Sequence, residues 1–189
     1  MNHDGRTMQF HEARMSGVFL IEPTAVDDDR GPLLRTFCIA DLTRRRLNSA
    51  FIQHFTSVIA AKGTVHGLTC MRPPHSAVRI VACLSGHIRA VVADLRPRSR
   101  TYGEWQGFEL PAASRLQLYV PDGVAFGFQT MSDDTAVGYM CAEFHAPEGV
   151  RGIRFDDPEF GIVWPLPVAH VLPRDLRWPP FRRARPRKS

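Results

Sequence analysis

The sequence contains no run of about 18 apolar residues, the length that a membrane-spanning helix requires. Its first residues, MNHDGRTMQFHEARM, lack the apolar core of a secretory signal. Its four cysteines form no C-x-x-C pair, which argues against a zinc knuckle and against a dense disulfide framework. These absences exclude an integral membrane protein and predict reduced thiols in a cytoplasmic protein.

Several catalytic and metal-binding motifs are missing as well. The eight histidines form neither an H-x-H nor an H-E-x-x-H motif, so a preformed metal site has little support. We expect histidines such as His54, His66 and His75 to hydrogen-bond a substrate or neighbouring loops instead. The sequence also has no G-x-S-x-G motif, glycine-rich phosphate loop or internal repeat.

The positive charge is concentrated at the C-terminal end. The net charge of the chain is +5, and residues 176–189 contain six basic side chains and no acidic one. Subtracting these six leaves residues 1–175 at −1. We predict that residues 177–189 form a disordered, solubilising tail. An arginine-rich tail can also bind nucleic acid, but one Trp and one Phe are too few for a stacking platform, so no nucleic-acid partner is expected.

Short β-like segments dominate the rest of the chain. A length of 189 residues with 44% apolar content suits one domain, which we place at residues 17–176 after a leader at residues 1–16. From residue 63 onward, segments of β-forming residues alternate with turn signals such as Pro-Pro, Ser-Gly and Pro-Asp-Gly. One short helix is expected over residues 40–47. This pattern predicts an all-β barrel or sandwich.

Residues 63–75 (GTVHGLTCMRPPH), in which polar and apolar side chains are interspersed, are the best candidate for the wall of a pocket. We predict a strand here with both polar and apolar side chains on one face, followed by a hairpin. Thr69 lies three residues after His66, and an odd offset on a strand places two side chains on opposite faces unless a β-bulge intervenes. Tyr139, in a strand that we predict to be buried, is a second candidate, because a tyrosine hydroxyl can act as a general acid.

Ten collinear segments between residues 17 and 176 resemble the dTDP-4-dehydrorhamnose 3,5-epimerases. They are DRG (29–31), FIQ (51–53), KGTVHGL (62–68), VVADLR (91–96), SRTYGEW (99–105), QLYVPDGVAFGF (117–128), APE (146–148), RGIRFDDP (151–158), GI (161–162) and WPL (164–166). The resemblance implies a cupin-like jelly-roll β-barrel without metal or cofactor. It also implies a homodimer that exchanges N-terminal strands. The implied substrate is a dTDP-linked 4-keto-6-deoxyhexose, and the implied reaction removes and returns a proton next to the ketone.

The family's catalytic positions are only partly retained. The resemblance makes Tyr139 the acid, puts Arg79 where a lysine would stabilise the enolate, and keeps an aspartate at Asp175. The family's base, a histidine after Gly-Leu, is replaced by Thr69, which is no base at neutral pH. The arginine that precedes Gly-Leu is replaced by His66, which becomes either a substitute base or a neutral hydrogen-bonding replacement.

The positions that the resemblance assigns to the substrate or nucleotide are also mixed. Arg30 and Gln53 are retained, and Tyr119 lies in a matched segment. A family histidine is replaced by Phe126, a tyrosine by His145 and an acidic residue by Arg35. Because these departures cluster in the predicted pocket while the scaffold motifs persist, we expect an epimerase or isomerase with altered chemistry. Two alternatives remain open: recruitment to another small-molecule reaction in natural-product biosynthesis, such as cyclisation or dehydration, and a non-catalytic ligand-binding role.

Overall fold

A computed structural model of the protein describes residues 7–144 and 146–183, and its regular structure is almost entirely β-strand. The first sheet contains six antiparallel strands in the spatial order β1 (Gln9–Glu12), β2 (Phe19–Glu22), β10 (Gln117–Val120), β7 (Arg79–Ser85), β12 (Thr135–Cys141) and β5 (Gln53–Ile59). The second runs β13 (Val150–Gly152), β6 (Thr64–Met71), β11 (Val124–Thr130), β8 (His87–Asp94) and β9 (Trp105–Pro111), with β14 (His170–Val171) paired to β6. A separate hairpin contains β3 (Thr24–Asp28) and β4 (Gly31–Arg35).

The main hydrophobic core lies between the two sheets. Alternate residues of each strand face this core, because successive side chains of a strand point to opposite faces. On β10, Leu118 and Val120 face inward together with Val81 and Val137 of the same sheet and Val92 of the second sheet. This arrangement confirms the predicted all-β, cupin-like architecture, and it leaves space for a cavity at one end of the core.

Helical structure is limited to short segments within the described part of the chain. The one α-helix, α1 (Ile39–Arg44), is shorter than the helix predicted over residues 40–47, and Arg46 has a left-handed φ of 57° just beyond its end. Three 3-10 turns lie at Ala112–Ser114, Pro147–Gly149 and Asp175–Arg177. Among the described residues, no helix has the length and apolar character needed to cross a membrane.

Both ends of the described chain pack more closely than the sequence predicts. Residues 7–16, which we assign to a leader from their weak patterning, contribute β1 and the buried Met8 and Met15. Residues 177–183, assigned to a disordered tail, pack on the second sheet through Trp178 and Phe181. Apolar side chains thus hold both segments against the sheets, although the neighbouring residues are polar. The rest of the predicted tail, residues 184–189, lies outside the described residues.

Candidate active site

A cavity of about 160 Å³ lies between the two sheets at the end of the main core. Six of the residues singled out in the sequence line it together: His66, Thr69, Arg79, Phe126, Tyr139 and Asp175. We call it the inner cavity. Its walls come from β6, β7, β11, β12 and the turn at Asp175–Arg177, so long-range strand pairing assembles it. A cavity of about 150 Å³ can hold a six-membered ring such as benzene, so the inner cavity has room for one ring.

A β-bulge in β6 brings His66 and Thr69 to the same cavity. Thr69 pairs with Phe126 and His66 pairs with Phe128, so three steps along β6 oppose two steps along β11. This irregularity cancels the odd offset that would place the two side chains on opposite faces. Gly67 makes it possible, because its φ is +88° and a Cβ there would lie 2.7 Å from the carbonyl oxygen of Phe126.

The ionisable groups of the inner cavity have protonation states suited to proton transfer. Burial lowers the pKa of the His66 imidazole, and the nearby Asp175 carboxylate opposes this shift only in part, so the ring is neutral at pH 7. Burial raises the pKa of the Tyr139 hydroxyl, against a smaller opposite effect of Arg79, so the phenol keeps its proton. The cavity therefore contains a neutral imidazole that can accept a proton and a phenol that can donate one.

Arg79 is one of two arginines that line the inner cavity, the other being Arg174, and backbone contacts fix the direction of the Arg79 side chain. Its Nη2–H donates to the carbonyl oxygen of Thr69 at 3.1 Å, and its Nε–H donates to the carbonyl oxygen of Ala77 at 3.2 Å. Its guanidinium carbon lies 5.7 Å from the centroid of the Phe126 ring. A guanidinium held in this way can stabilise negative charge that develops on an oxygen atom in the cavity.

The floor of the inner cavity is a row of aromatic rings. The imidazole of His66 stacks on Phe128 with centroids 4.9 Å apart. Phe128 lies 6.1 Å from Phe126, and Phe126 lies 6.4 Å from Tyr139 in a T-shaped arrangement. Phe128 was not singled out in the sequence, because only the pairing of β6 with β11 places it under the imidazole.

Asp175 is almost completely buried, with 1% of its side chain exposed. Its Oδ2 accepts a hydrogen bond from the backbone N–H of Gly67 at 3.2 Å, and its Oδ1 accepts one from the indole Nε1–H of Trp178 at 3.1 Å. The aspartate that the resemblance identifies as retained therefore contacts the backbone of the β6 bulge.

A second cavity of about 210 Å³ adjoins the first and shares Thr69, Arg79 and Arg174 with it. We call it the outer cavity. Gln53 and Cys141 also line it. The side-chain oxygen of Gln53 is buried and has no hydrogen-bond partner among the described residues. Arg174 was missed in the sequence, and its position directly before Asp175 was the one signal that could have revealed it.

The structure does not bring every predicted site residue to these cavities. Tyr119 lies on the outer face of the first sheet, where its hydroxyl accepts the N–H of Asn48 at 3.1 Å; the alternation of β10 turns it away from Leu118 and Val120. Arg30 lies at the turn of the β3–β4 hairpin, beside a shallow surface depression shared with Arg115. His145 lies outside the described residues.

The described residues contain no group of three or more His, Cys, Asp or Glu side chains arranged to hold a metal ion. An imidazole, a phenol and a guanidinium around one ring-sized space are suited to moving a proton next to a carbonyl group.

Comparison with known proteins gives one consistent result. The family model described as dTDP-4-dehydrorhamnose 3,5-epimerase matches residues 12–183 of this chain. A dTDP-4-dehydrorhamnose 3,5-epimerase of Methanothermobacter thermautotrophicus is 36% identical over 177 residues, which are 92% of this chain and 95% of that relative. These matches cover both sheets and both cavities.

Solved structures give the same result. The crystal structure of a dTDP-4-dehydrorhamnose 3,5-epimerase from Bacillus anthracis with TDP and PPi bound has a TM-score of 0.87 at 30% identity, over 93% of this chain and 100% of that one. A 4-keto-6-deoxy sugar epimerase from the novobiocin biosynthetic gene cluster of Streptomyces spheroides has a TM-score of 0.84 at 29% identity, over 94% of this chain and 89% of that one.

Proposed function

Because this chain belongs to the dTDP-4-dehydrorhamnose 3,5-epimerase family, a family of isomerases, we propose that it binds a dTDP-linked 4-keto-6-deoxyhexose and transfers a proton at a carbon next to the ketone. One observation carries this proposal: His66, Arg79 and Tyr139 surround a single ring-sized cavity. The sugar ring would occupy the inner cavity, and the diphosphate and nucleoside would extend through the outer cavity.

The proposed reaction assigns one role to each of the three groups. The neutral His66 imidazole removes the proton from a carbon next to the ketone, and the electrons of that C–H bond form an enolate. Arg79 stabilises the negative charge on the enolate oxygen. Tyr139 then donates its proton to the opposite face of the same carbon, which inverts the configuration. The tyrosinate and the imidazolium return to their starting states by proton exchange with water.

His66 replaces the missing family base in this proposal. Thr69 occupies the position after Gly67-Leu68 and cannot accept a proton from carbon at neutral pH. The β6 bulge turns His66 toward the same cavity, and its desolvated imidazole is available as a base. His66 and Thr69 lie at opposite ends of the β6 bulge. We therefore expect His66 to approach a different carbon or a different face of the sugar ring than a base at Thr69 would, which would alter the stereochemical outcome.

The outer cavity supports binding of the nucleotide part of the substrate. Arg174 and Arg79 bring positive charge to the junction of the two cavities, where a diphosphate would lie. The buried side-chain oxygen of Gln53, which has no hydrogen-bond partner in the described part of the chain, is an acceptor that a nucleoside N–H or hydroxyl would satisfy.

Solvent exchange tests the proposed reaction directly. We expect the full-length protein, incubated in D₂O with dTDP-4-keto-6-deoxyglucose, to introduce deuterium at C3, C5 or both, as followed by NMR. The proton removed by His66 exchanges with water, so exchange reports proton abstraction even where inversion is slow. Absence of deuterium at both carbons at high protein concentration would overturn the proposal.

Thr69 also supports a second candidate function, because a site without the family base can serve another purpose. The fold would then be recruited to a different small-molecule reaction in natural-product biosynthesis, or to binding without catalysis. Titration calorimetry with dTDP separates these cases: weak dTDP binding by a folded protein favours another substrate. Tight binding of the dTDP-sugar without exchange or turnover favours a non-catalytic role.

We also propose that the chain forms a homodimer through the outer face and free edge of the first sheet. Val58 and Phe55 of the edge strand β5 are 75% and 46% exposed, and Leu84 of β7 is 52% exposed. Exposed apolar side chains along a free strand edge favour pairing with a second chain. Among the described residues the β3–β4 hairpin forms a sheet of its own, and we propose that it extends toward the partner.

Light scattering after size-exclusion chromatography measures this assembly. We expect a mass twice the 21.3 kDa of one chain, and we expect Val58→Glu to shift the protein toward the monomer, because a carboxylate would be buried in the interface. Val163→Glu, at a side chain that is 71% exposed elsewhere, is the matched control. A wild-type monomer at micromolar concentration would contradict the dimer.

We also propose a cytoplasmic location. The four cysteines are free thiols, which supports this location because thiols stay reduced in the cytosol.

A further inference from the structure

The C-terminal segment at residues 175–183, here called the latch, connects the inner cavity to the outer surface of the second sheet. It begins at Asp175, whose carboxylate accepts one hydrogen bond from the backbone N–H of Gly67 and one from the indole of Trp178. The Nε of Arg174 lies 3.5 Å from the same carboxylate. Asp175 thus joins the β6 bulge to a tryptophan that the proposed reaction does not use.

Trp178 is held between Asp175 and the strand next to Thr69. A Cβ at Gly152 would lie 2.5 Å from Nε1 and Cε2 of the indole, so the ring lies directly against the backbone of β13. Gly152 is the partner of Thr69 in the pairing of β13 with β6. The indole therefore contacts the backbone on one side of the bulge and bonds, through Asp175, to the amide of Gly67 within it.

The rest of the latch is anchored to the loop that follows β13 and to the loop that joins β8 to β9. The backbone N–H of Phe181 donates to Oδ2 of the buried Asp157 at 2.7 Å. The ring of Phe181 lies 4.7 Å from that of Phe160 and 5.7 Å from that of Tyr102. Arg183 donates through Nη2 to the carbonyl oxygen of Gly103 at 3.1 Å. These contacts fix the position of the chain on the far side of Trp178.

The hydrogen bond from Gly67 to Asp175 lies within the β6 bulge. A bulge leaves a residue outside the regular ladder, and the backbone N–H of Gly67 donates to the Asp175 carboxylate. A buried carboxylate that loses a donor is strongly disfavoured in place. The indole N–H of Trp178 satisfies the second oxygen of Asp175, so the carboxylate stays against the Gly67 amide.

We propose that Trp178 is a positioning residue for the active site. Its indole N–H holds the Asp175 carboxylate against the Gly67 amide, and this contact maintains the bulge that directs the side chains of His66 and Thr69 into the same cavity. The effect on catalysis rests on the function proposed above, but the effect on the bulge does not. The C-terminal latch is on this account a part of the active site that lies outside both cavities.

Amide hydrogen exchange of the full-length protein with Trp178→Phe tests the proposal. Phe removes the indole N–H and keeps most of the ring. We expect exchange of the Gly67 amide, relative to that of Val91 in the core of the second sheet, to become about 10- to 100-fold faster, the range that a hydrogen bond to a charged group corresponds to. We also expect kcat for epimerisation to fall more than KM changes, since the substrate contacts themselves remain.

Trp164→Phe is the matched control, because Trp164 also donates its indole N–H to a protein acceptor, the carbonyl oxygen of Phe155 at 2.9 Å, away from Asp175. In the Trp164→Phe protein, the ratio of the Gly67 to the Val91 amide exchange rate should equal that of the wild type. If Trp178→Phe does not fold, Trp178→Met, compared with Trp164→Met, provides the same comparison, because methionine also fills apolar space and has no N–H or O–H to donate.

If the ratio of the Gly67 to the Val91 amide exchange rate is unchanged in the Trp178 variant, the proposal is overturned. Equal acceleration in the Trp178 and Trp164 variants would overturn it too, because the effect would then be general destabilisation. Since amide exchange needs no substrate, a protein without epimerase activity that still shows the selective acceleration would refute the proposed function and support the latch.

Discussion

Replacing His66 with glutamine is expected to lower deuterium incorporation at the carbons next to the ketone by about 10²- to 10⁴-fold, the usual contribution of one positioned acid–base group. Glutamine keeps a hydrogen-bonding side chain of similar length but cannot accept a proton at neutral pH. Binding of dTDP, measured by calorimetry, should stay within about twofold of the wild type, since His66 lines the inner cavity and not the outer one.

The pH dependence of the wild-type rate gives the same assignment a second test. Burial lowers the pKa of His66 from its usual value of 6.5, so the imidazole is protonated only at more acidic pH. The rate should therefore be constant around neutrality and fall as the pH decreases through a value below 6.5. A rate that begins to fall well above pH 7 on acidification would contradict His66 as the base.

Two further variants control the His66 experiment. His87→Gln changes a surface histidine that is bonded to Glu109 at 2.6 Å and should leave the exchange rate unchanged. Adding Thr69→His to the His66→Gln protein places an imidazole at the family's usual position in the same cavity, and part of the exchange should return. Full exchange by His66→Gln alone would mean that His66 is only a neutral replacement for the family arginine.

Replacing Tyr139 with phenylalanine is expected to separate proton removal from inversion. The base is still present in this variant, so deuterium should enter the substrate from the His66 face with retention of configuration. Inversion should fall by about 10²- to 10⁴-fold, because the opposite face has lost its proton donor. NMR of the sugar ring measures both quantities in one sample, since deuterium content and ring coupling constants are independent.

Tyr119→Phe is the matched control for this experiment. It removes a tyrosine hydroxyl that is bonded to the N–H of Asn48 on the outer face of the first sheet, so it should reduce thermal stability slightly and leave inversion unchanged. If Tyr139→Phe inverts the substrate at the wild-type rate, the donor is another group or water. If it loses exchange as well as inversion, Tyr139 takes part in proton removal.

The all-β fold and the family could be predicted from the sequence because their signals are local and repeated. Short alternating segments separated by Pro and Gly turns fix strand positions, and the motifs that match the family occur in order along the chain. The polar character of residues 63–75 identified β6 as a cavity wall for the same reason. The proposal that Thr69 replaces the family base also comes from the sequence alone, since it depends only on which residue follows Gly67-Leu68.

The geometry of the site was not predictable to the same extent. A bulge is a difference between the steps taken along two paired strands, and β6 gives no sign of how β11 will pair with it. Only the pairing of His66 with Phe128 and of Thr69 with Phe126 reveals it. Tyr119 shows the reverse case, where a residue of a matched motif faces away from the cavity because its strand alternates.

The sequence by itself determined that this chain is an all-β member of the epimerase family and that Thr69 follows Gly67-Leu68, because these properties depend on residue identity and order. The tertiary structure decided that His66 shares the cavity with Tyr139 and Arg79, and that Trp178 and Asp175 secure the bulge between them. The Gly67 amide and the Asp175 carboxylate are 108 residues apart, and a contact between such distant residues is fixed by the packing of the sheets and not by any local pattern.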